Sequence, residues 1–250
     1  MYNPFSLEGK TILVTGASSG IGRAVAIDVA KAGAKVIIIG RNEKRLTEVK
    51  ELIGSNVIKA LTGDLTDNEF IKHVLSSVDQ IDGLVHSAGI MKLLPFKFID
   101  YEGLDLMMKT NFYSPVMLSV ELLKRKKFNK NSSVLFISSI TGSVVGSKAN
   151  AMYAASKAAL SGIIKSMAID LAKNKIRVNE IAPGMIQTEG AMELTNVISN
   201  DAIMEDKKKY PLGDYGKPND ISSACVFFMS DASQWITGSK LVIDGGFTIQ

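Results

Sequence analysis

Hydrophobic and polar positions along the chain fall into two alternating patterns. Short unbroken apolar runs, among them Thr11-Ile12-Leu13-Val14, Val36-Ile37-Ile38-Ile39 and Val134-Leu135-Phe136-Ile137, have the length and β-branched content of strands buried on both faces. Between them lie longer stretches in which apolar residues recur every three or four positions, the spacing of an amphipathic helix. The first run is followed by a glycine turn at 16–22, a helical stretch from Ala24 to Ala32 closed by Gly33, and the second run. Strand, helix and strand in that order form a βαβ unit, which requires parallel strands and a right-handed crossover. The alternation continues with helix at 42–53, strand at 56–61, helix at 67–78, strand at 81–85, a long helix at 101–127, strand at 134–137 and a helix at 151–172. A strand at 176–181, an irregular stretch at 184–215, a helix at 218–230 and a last strand at 240–243 complete it. Seven strands separated mostly by helices predict one α/β domain over 1–250, a doubly wound parallel sheet with helices on both faces. No repeat, low-complexity tract or linker interrupts the pattern.

Composition narrows the classes of function. Of 250 residues, 46% are hydrophobic and 22% charged, which leaves ample material for a core. The single cysteine, Cys225, lies in the apolar run Ala224-Cys225-Val226-Phe227-Phe228 and reads as a small buried hydrophobe, as suits a reducing compartment. No apolar run reaches the ~18 residues of a membrane span, and residues 1–9 lack the basic and apolar regions of a signal peptide, so a cytoplasmic location is expected. The net charge of +4 is mild. Basic residues cluster at Lys124-Arg125-Lys126-Lys127 with Lys130, and at Lys207-Lys208-Lys209. Such clusters read as solvated helix ends or as a docking patch for an acidic or phosphorylated carrier; no nucleic-acid-reading motif accompanies them.

The glycine turn carries the first chemical signal. Gly16-Ala17-Ser18-Ser19-Gly20-Ile21-Gly22 departs from the literal G-x-G-x-x-G spacing but keeps its physical content: a tight turn, close approach of backbone to a pyrophosphate, and a helix N-terminus facing the anion. Ser18 and Ser19 read either as helix caps or as phosphate contacts. An enzyme that uses NAD carries a carboxylate about 20 residues beyond this turn, whereas an arginine there accommodates the 2′-phosphate of NADP. Here the second strand ends Ile39-Gly40-Arg41, so NADP(H) is expected in preference to NAD(H).

A second signal lies in Ala151-Met152-Tyr153-Ala154-Ala155-Ser156-Lys157. Residues four apart share one face of a helix, so Tyr153 and Lys157 are neighbours by geometry. A phenol ionises near ~10, and an ammonium held beside it favours the phenolate, which is the expectation here for Tyr153.

These motifs, taken with Gly63-Asp64-Leu65, His86-Ser87-Ala88-Gly89, Asn111, Ser138-Ser139, Asn179, Pro183-Gly184 with Thr188, and Asp244-Gly245-Gly246, resemble the short-chain dehydrogenase/reductases over nearly the whole chain. The resemblance implies a Rossmann-like fold and a catalytic tetrad of Asn111, Ser139, Tyr153 and Lys157. In it Tyr153 is the acid that protonates a carbonyl oxygen, or the base in the reverse direction. Ser139 donates to that oxygen, Lys157 holds the nicotinamide ribose, and Asn111 anchors a proton-carrying water. It further implies cofactor contacts by Gly16, Ser18, Ser19, Gly20, Ile21, Gly22, Arg41, Asp64 and Leu65 (at the adenine ring), Ser87, Ala88, Gly89, Pro183, Gly184, Ile186 and Thr188. No metal is implied.

Two departures stand out. His86-Ser87 replaces a pair of asparagines usual in the family, and His86 reads as a structural residue rather than a catalyst. Asp214-Tyr215 replaces an Arg-Leu pair that many relatives carry. The stretch near 185–215, with Met185, Met192, Leu194, Val197, Ile198, Ile203 and Met204, reads either as a lid over a small-molecule carbonyl or alcohol or as a segment packed on the sheet. Within the family the chain looks most similar to 3-oxoacyl-(acyl-carrier-protein) reductases, which implies an acidic acyl carrier as partner. Alternatives are a steroid, sugar, polyol or diketone substrate, or a non-catalytic dinucleotide sensor or scaffold. The resemblance also implies a homo-oligomer, dimer or tetramer, formed by the helices near 101–127 and 152–173; Leu160, Ile163, Ile164 and Met167 suit such an interface or the monomer core equally.

Overall fold

The computed structural model describes residues 3–195 and 199–250. The chain runs β1 (Thr11–Thr15), α1 (Gly20–Lys31), β2 (Lys35–Gly40), α2 (Glu43–Ile53), β3 (Val57–Thr62), α3 (Asn68–Ser77), β4 (Ile81–His86), α4 (Tyr101–Met108), α5 (Ser114–Lys124) and β5 (Phe128–Ile137). It continues α6 (Ile140–Ser143), α7 (Ala151–Leu171), β6 (Arg177–Pro183), α8 (Glu189–Thr195), α9 (Asn200–Lys207), α10 (Pro218–Met229) and β7 (Lys240–Ile243). The strands form one sheet in the order β3-β2-β1-β4-β5-β6-β7, every neighbouring pair parallel. Strand order reverses between β1 and β4, and an open α/β sheet binds ligands in the crevice outside the carboxyl ends of strands at that point.

The strand period of two divides the core. Ile12, Val14, Val36 and Ile38 face one side and pack with Val25 and Val29 of α1 and Ile221 and Phe228 of α10. Leu13, Ile37, Ile39, Val134 and Phe136 face the other and pack with Leu118 and Leu122 of α5 and Leu160 and Ile164 of α7. Burial within the monomer therefore accounts for Leu160 and Ile164, with Ile163 and Met167 packed partly against them.

Three stretches differ from the pattern expected of the sequence. The helix expected over 101–127 is divided by one π-helical turn at Lys109–Tyr113. Pro115 has no N–H to donate and its ring clashes with the carbonyl four residues back, so the ladder slips by one residue. The Ser114 N–H and hydroxyl both donate to the Lys109 carbonyl, the hydroxyl at 2.7 Å. Strand β5 begins at Phe128, six residues before the apolar run, because Phe128 pairs with Ile81 across a register shift. The stretch expected to be irregular at 184–215 contains α8 and α9. Val197 and Ile198 lie outside the described residues. Among those described, no helix is long and apolar enough to cross a membrane.

Phe136 is fully buried in the central strand β5 and stacks on His86 with ring centroids 4.6 Å apart. Replacing Phe136 by Ala is expected to lower the unfolding free energy by about 3–5 kcal/mol, read as a reduced midpoint in urea.

Candidate active site

The residues singled out in the sequence gather at the carboxyl ends of β1 to β6 and on the helices that follow them. The turn after β1 is shaped by close approach. Gly16 adopts φ +69, and a Cβ there would lie 2.8 Å from the Ala88 backbone; one at Gly22 would lie 2.2 Å from the Gly16 carbonyl oxygen. The buried Thr15 hydroxyl accepts from the N–H groups of Ser87 and Ala88, both at 3.2 Å, and so fastens the loop after β4 to the turn after β1. Helix α1 starts at Ser19 without a side-chain cap and without an acidic residue in its first turn. A helix N-terminus without a local side-chain cap suits a pyrophosphate. Ser18 lies against Gly40, at whose position a Cβ would come within 3.0 Å of the Ser18 side chain.

The four residues of the expected tetrad converge on one another. Helix α7 presents Tyr153 and Lys157 one turn apart. The Lys157 ammonium donates to the Ile137 carbonyl at 2.8 Å and stands 5.8 Å from the centre of the Tyr153 ring. The turn at α6 bends back onto α7 through Gly142 (φ +90), where a Cβ would lie 2.2 Å from the Ala154 carbonyl oxygen. The strand alternation turns Ser138 into the sheet, where it donates to Ile181 at 3.0 Å, and leaves Ser139 toward the site. The Ser139 side chain faces the Tyr153 hydroxyl, and its oxygen accepts from the Thr141 N–H at 3.0 Å. The π turn brings Asn111 inward. Its amide donates to the Ile90 carbonyl (2.9 Å) and the Ser156 hydroxyl (3.0 Å), and its oxygen accepts from the Ile90 N–H (2.8 Å). Gly89 lies between Asn111 and Lys157: a Cβ there would stand 3.2 Å from Asn111 Oδ1 and 3.4 Å from Lys157 Nζ.

The protonation of the pair differs from the sequence expectation. Burial pushes the Tyr153 hydroxyl above its ordinary range, opposed by the Ser139 side chain, so the phenol stays protonated. Burial also lowers Lys157 to about 8. Four-residue spacing brings the ammonium beside the ring, but its hydrogen bond is directed to the Ile137 carbonyl, and desolvation dominates. His86 is buried and lowered to about 3, by burial first and by the Lys157 charge second. Its Nε2 lies 2.8 Å from Ser119, whose own proton goes to the Pro115 carbonyl at 3.0 Å, so the network assigns the proton to Nε2. Neutral and packed between Ser119 and Phe136, His86 has a structural role.

Around this centre, Arg41 and Asp64 meet each other, with Nη1 and Oδ2 3.8 Å apart and both side chains substantially exposed. Asp64 Oδ1 also accepts from the N–H and hydroxyl of Thr66, both at 2.8 Å, which closes the turn next to Leu65. Pro183 and Gly184 end β6 against Asp244, whose Cα would lie 2.9 Å from a Cβ at Gly184. Ile186 is buried and bridged to Gly216, and Thr188 follows at the edge of the glycine turn. Of the basic clusters, Lys207, Lys208 and Lys209 are paired with Asp214, Glu205 and Asp206. Lys124 pairs with Glu121, and Lys127 donates to the Val78 carbonyl, leaving Arg125 and Lys126 exposed just after α5 and Lys130 exposed near the start of β5.

Sequence reasoning missed the residues that hold the site together. Ser156, fully buried, links Asn111 to α7 by accepting from its amide and donating to the Tyr153 carbonyl at 2.8 Å. Thr15 clamps two loops, and Glu189 reaches the glycine turn, its Oε2 accepting from the Gly20 N–H at 3.0 Å. Thr15 and Ser156 stood beside motif residues in the sequence; Glu189 carried no local signal.

Comparison with known proteins places these features. Residues 16–248 match the family model described as Enoyl-(Acyl carrier protein) reductase. The chain is 36% identical over 244 residues to the 3-oxoacyl-(acyl-carrier-protein) reductase of Rickettsia conorii, covering 96% of this chain and 97% of that one. It is 36% identical over 246 residues to the enzyme of the same name from Salmonella typhimurium, covering 96% and 98%. Among solved structures, a short-chain type dehydrogenase/reductase from Mycobacterium marinum superposes with a TM-score of 0.89 at 31% identity, covering 99% and 98% of the two chains. A candidate NAD(P)-dependent gluconate 5-dehydrogenase from Beutenbergia cavernae, solved with NADP at low occupancy, gives 0.88 at 30% identity, covering 99% and 100%.

The buried ammonium makes stability depend on pH. Lys157 is lowered from its unfolded value of 10.5 to about 8, so the unfolded chain holds the proton more tightly. The resulting cost to the fold is complete below pH 8 and is relieved as pH rises from about 8 to about 10.5. Urea unfolding of the wild type and of Lys157→Met across this range checks it: the variant's stability relative to wild type is expected to be highest below pH 8 and to fall toward pH 10.5.

Proposed function

The chain belongs to the short-chain dehydrogenase/reductase family, an oxidoreductase family, and from that premise we propose that it reduces a 3-oxoacyl group on an acidic carrier with NADP(H). The observation that carries this reading is the Ser139 side chain set against a protonated Tyr153 beside buried Lys157, whose ammonium stands 5.8 Å from the tyrosine ring. Two hydroxyls that meet each other can both meet one substrate oxygen, an arrangement suited to a carbonyl. For that reason carbonyl reduction is favoured over the enoyl chemistry in the family model's description.

The residues divide the work as follows. Tyr153, kept protonated by burial, donates its proton to the carbonyl oxygen as negative charge develops there. Ser139 donates a second hydrogen bond to the same oxygen. Lys157 holds the nicotinamide ribose and supplies positive charge close to the phenolate that Tyr153 becomes. Asn111, fixed by Ile90 and Ser156, anchors the water through which Tyr153 is reprotonated. Gly16, Ser18, Ser19, Gly20, Ile21 and Gly22 cradle the pyrophosphate, while Asp64 and Leu65 flank the adenine. Ser87, Ala88, Gly89, Pro183, Gly184, Ile186 and Thr188 line the nicotinamide side. When bound, the nicotinamide supplies hydride to the carbonyl carbon, or accepts it in the reverse direction. The residues at 185–215 cover the substrate, and exposed Arg125, Lys126 and Lys130 receive the acidic carrier. Exposed Leu106 and Met117 on α4 and α5, and Ile169 on α7, suit assembly into a dimer or tetramer.

The deciding experiment follows NADPH oxidation with a panel of carrier-linked and free 3-oxoacyl thioesters, steroids, keto sugars and diketones. The carrier-linked 3-oxoacyl thioester is expected to give the highest kcat/KM; a higher value for another class would move the substrate assignment to that class. Tyr153→Phe is expected to bind NADPH as wild type does and to lose turnover by about 10²–10⁴-fold. Retained turnover in that variant would remove Tyr153 from the mechanism, and no turnover by wild type on any substrate would favour a sensor or scaffold.

Cofactor preference has its own test. Arg41 pairs only loosely with Asp64, so a 2′-phosphate can take its place at small cost. Arg41→Ala is expected to lower kcat/KM for NADPH relative to NADH by about tenfold, the worth of one exposed charge-assisted hydrogen bond. Arg41 alone is the cleaner substitution, since a side chain at Gly40 would also displace Ser18.

A further inference from the structure

Helices α2, α3 and α4 are capped by their own Asn42, Asp67 and Asp100 side chains, and α1 has no such cap. Its first donor is instead met from a distant part of the chain. Glu189, at the start of α8 and 169 residues away, accepts from the Gly20 N–H through Oε2 at 3.0 Å. Its other oxygen, Oε1, lies 3.8 Å from Arg23 Nη1 on the next turn of α1. Thr188 packs on the same spot, its methyl carbon 3.0 Å from where a Cβ at Gly20 would stand. A carboxylate from the lid thus occupies the position at which a helix N-terminus favours an anion.

We propose that Glu189 is a built-in occupant of the anion slot, so that a dinucleotide binds by displacing it and in doing so releases α8 from the glycine turn. The inference rests on the reading of that turn as a pyrophosphate cradle. One N–H serves one strong acceptor at a time, and two anions at the same helix end repel each other, so carboxylate and phosphate exclude one another at Gly20. The contact is suited to exchange. Arg23 and Glu189 side chains are 40% and 47% exposed, which leaves their attraction screened by water. The other end of the lid is held far more firmly. The Tyr215 hydroxyl donates to Asp206 at 2.7 Å, Lys207 pairs with Asp214 at 2.7 Å, and the Tyr210 ring is packed between Tyr215 and Phe247. The Asp214-Tyr215 pair, unusual for the family, therefore anchors α9 while α8 is held by a displaceable contact. Cofactor affinity is lowered by the share of molecules in which Glu189 fills the slot.

Two measurements on wild type, Glu189→Ala and Glu189→Gln test this. Without cofactor, hydrogen exchange at the Gly20 amide, followed by NMR, is expected to be fastest in Glu189→Ala and intermediate in Glu189→Gln. The dissociation constant for NADPH, followed by its fluorescence, is expected to fall about threefold to tenfold in Glu189→Ala, the range of one partly exposed carboxylate at a helix N-terminus. An unchanged or weakened NADPH affinity in Glu189→Ala, with wild type binding normally, overturns the displacement alone. Absence of NADPH binding by wild type and variants alike overturns the cradle reading and the displacement with it.

Discussion

Burying an ammonium is the constraint on which the arrangement of the site depends. A lysine cannot be taken out of water without a partner, and Lys157 finds it in the Ile137 carbonyl at the end of β5. That bond ties helix α7 to the mouth of the sheet and thereby places Tyr153 beside Ser139, which follows the same strand by two residues. The fold does not lower the tyrosine's acidity threshold by itself: desolvation holds Tyr153 protonated and brings Lys157 to about 8. A phenol held in its acid form is ready to donate a proton.

Around that bond the neighbouring elements leave little room for alternatives. Gly89 passes so close to Asn111 and Lys157 that a side chain would crowd both. Asn111 satisfies a peptide N–H, a carbonyl and a hydroxyl at once, and Ser156 returns the connection to α7. Every polar group so placed has a partner on a different element, so the geometry is set by the whole domain rather than by one motif. Precision of this sort comes from rigid supports, with strands and helices carrying the functional groups and the surface at α8 left to change.

Charge on the rest of the chain is arranged with the same economy. Much of the apparent basic surface is spent internally: Lys207, Lys208 and Lys209 pair within and beside α9, and Lys127 closes a carbonyl. The residues that depart from the family's usual pattern are absorbed in the same way, His86 between Ser119 and Phe136 and Tyr215 against Asp206.

The strands, most of the helices and their order were determined by the sequence alone, because hydrophobic period is a local property; α8 and α9 were not. Apolar runs of strand length and the βαβ alternation led to the parallel sheet, and the glycine turn and the Tyr153–Lys157 spacing, with Ser139 and Asn111 added by the family resemblance, marked the candidate site. Tertiary structure decided what depends on distant neighbours. The π turn that carries Asn111 arises where Pro115 denies the helix a donor, and the periodicity of 101–127 does not register it. The acidity of Tyr153 depends on how much of it is dehydrated, which no spacing encodes. Glu189 meets Gly20 only because the segment after β6 and the turn after β1 both leave the carboxyl edge of one parallel sheet, bringing residues 169 positions apart to one helix end. Local pattern specifies which segments form; burial and long-range contact specify what their polar groups do.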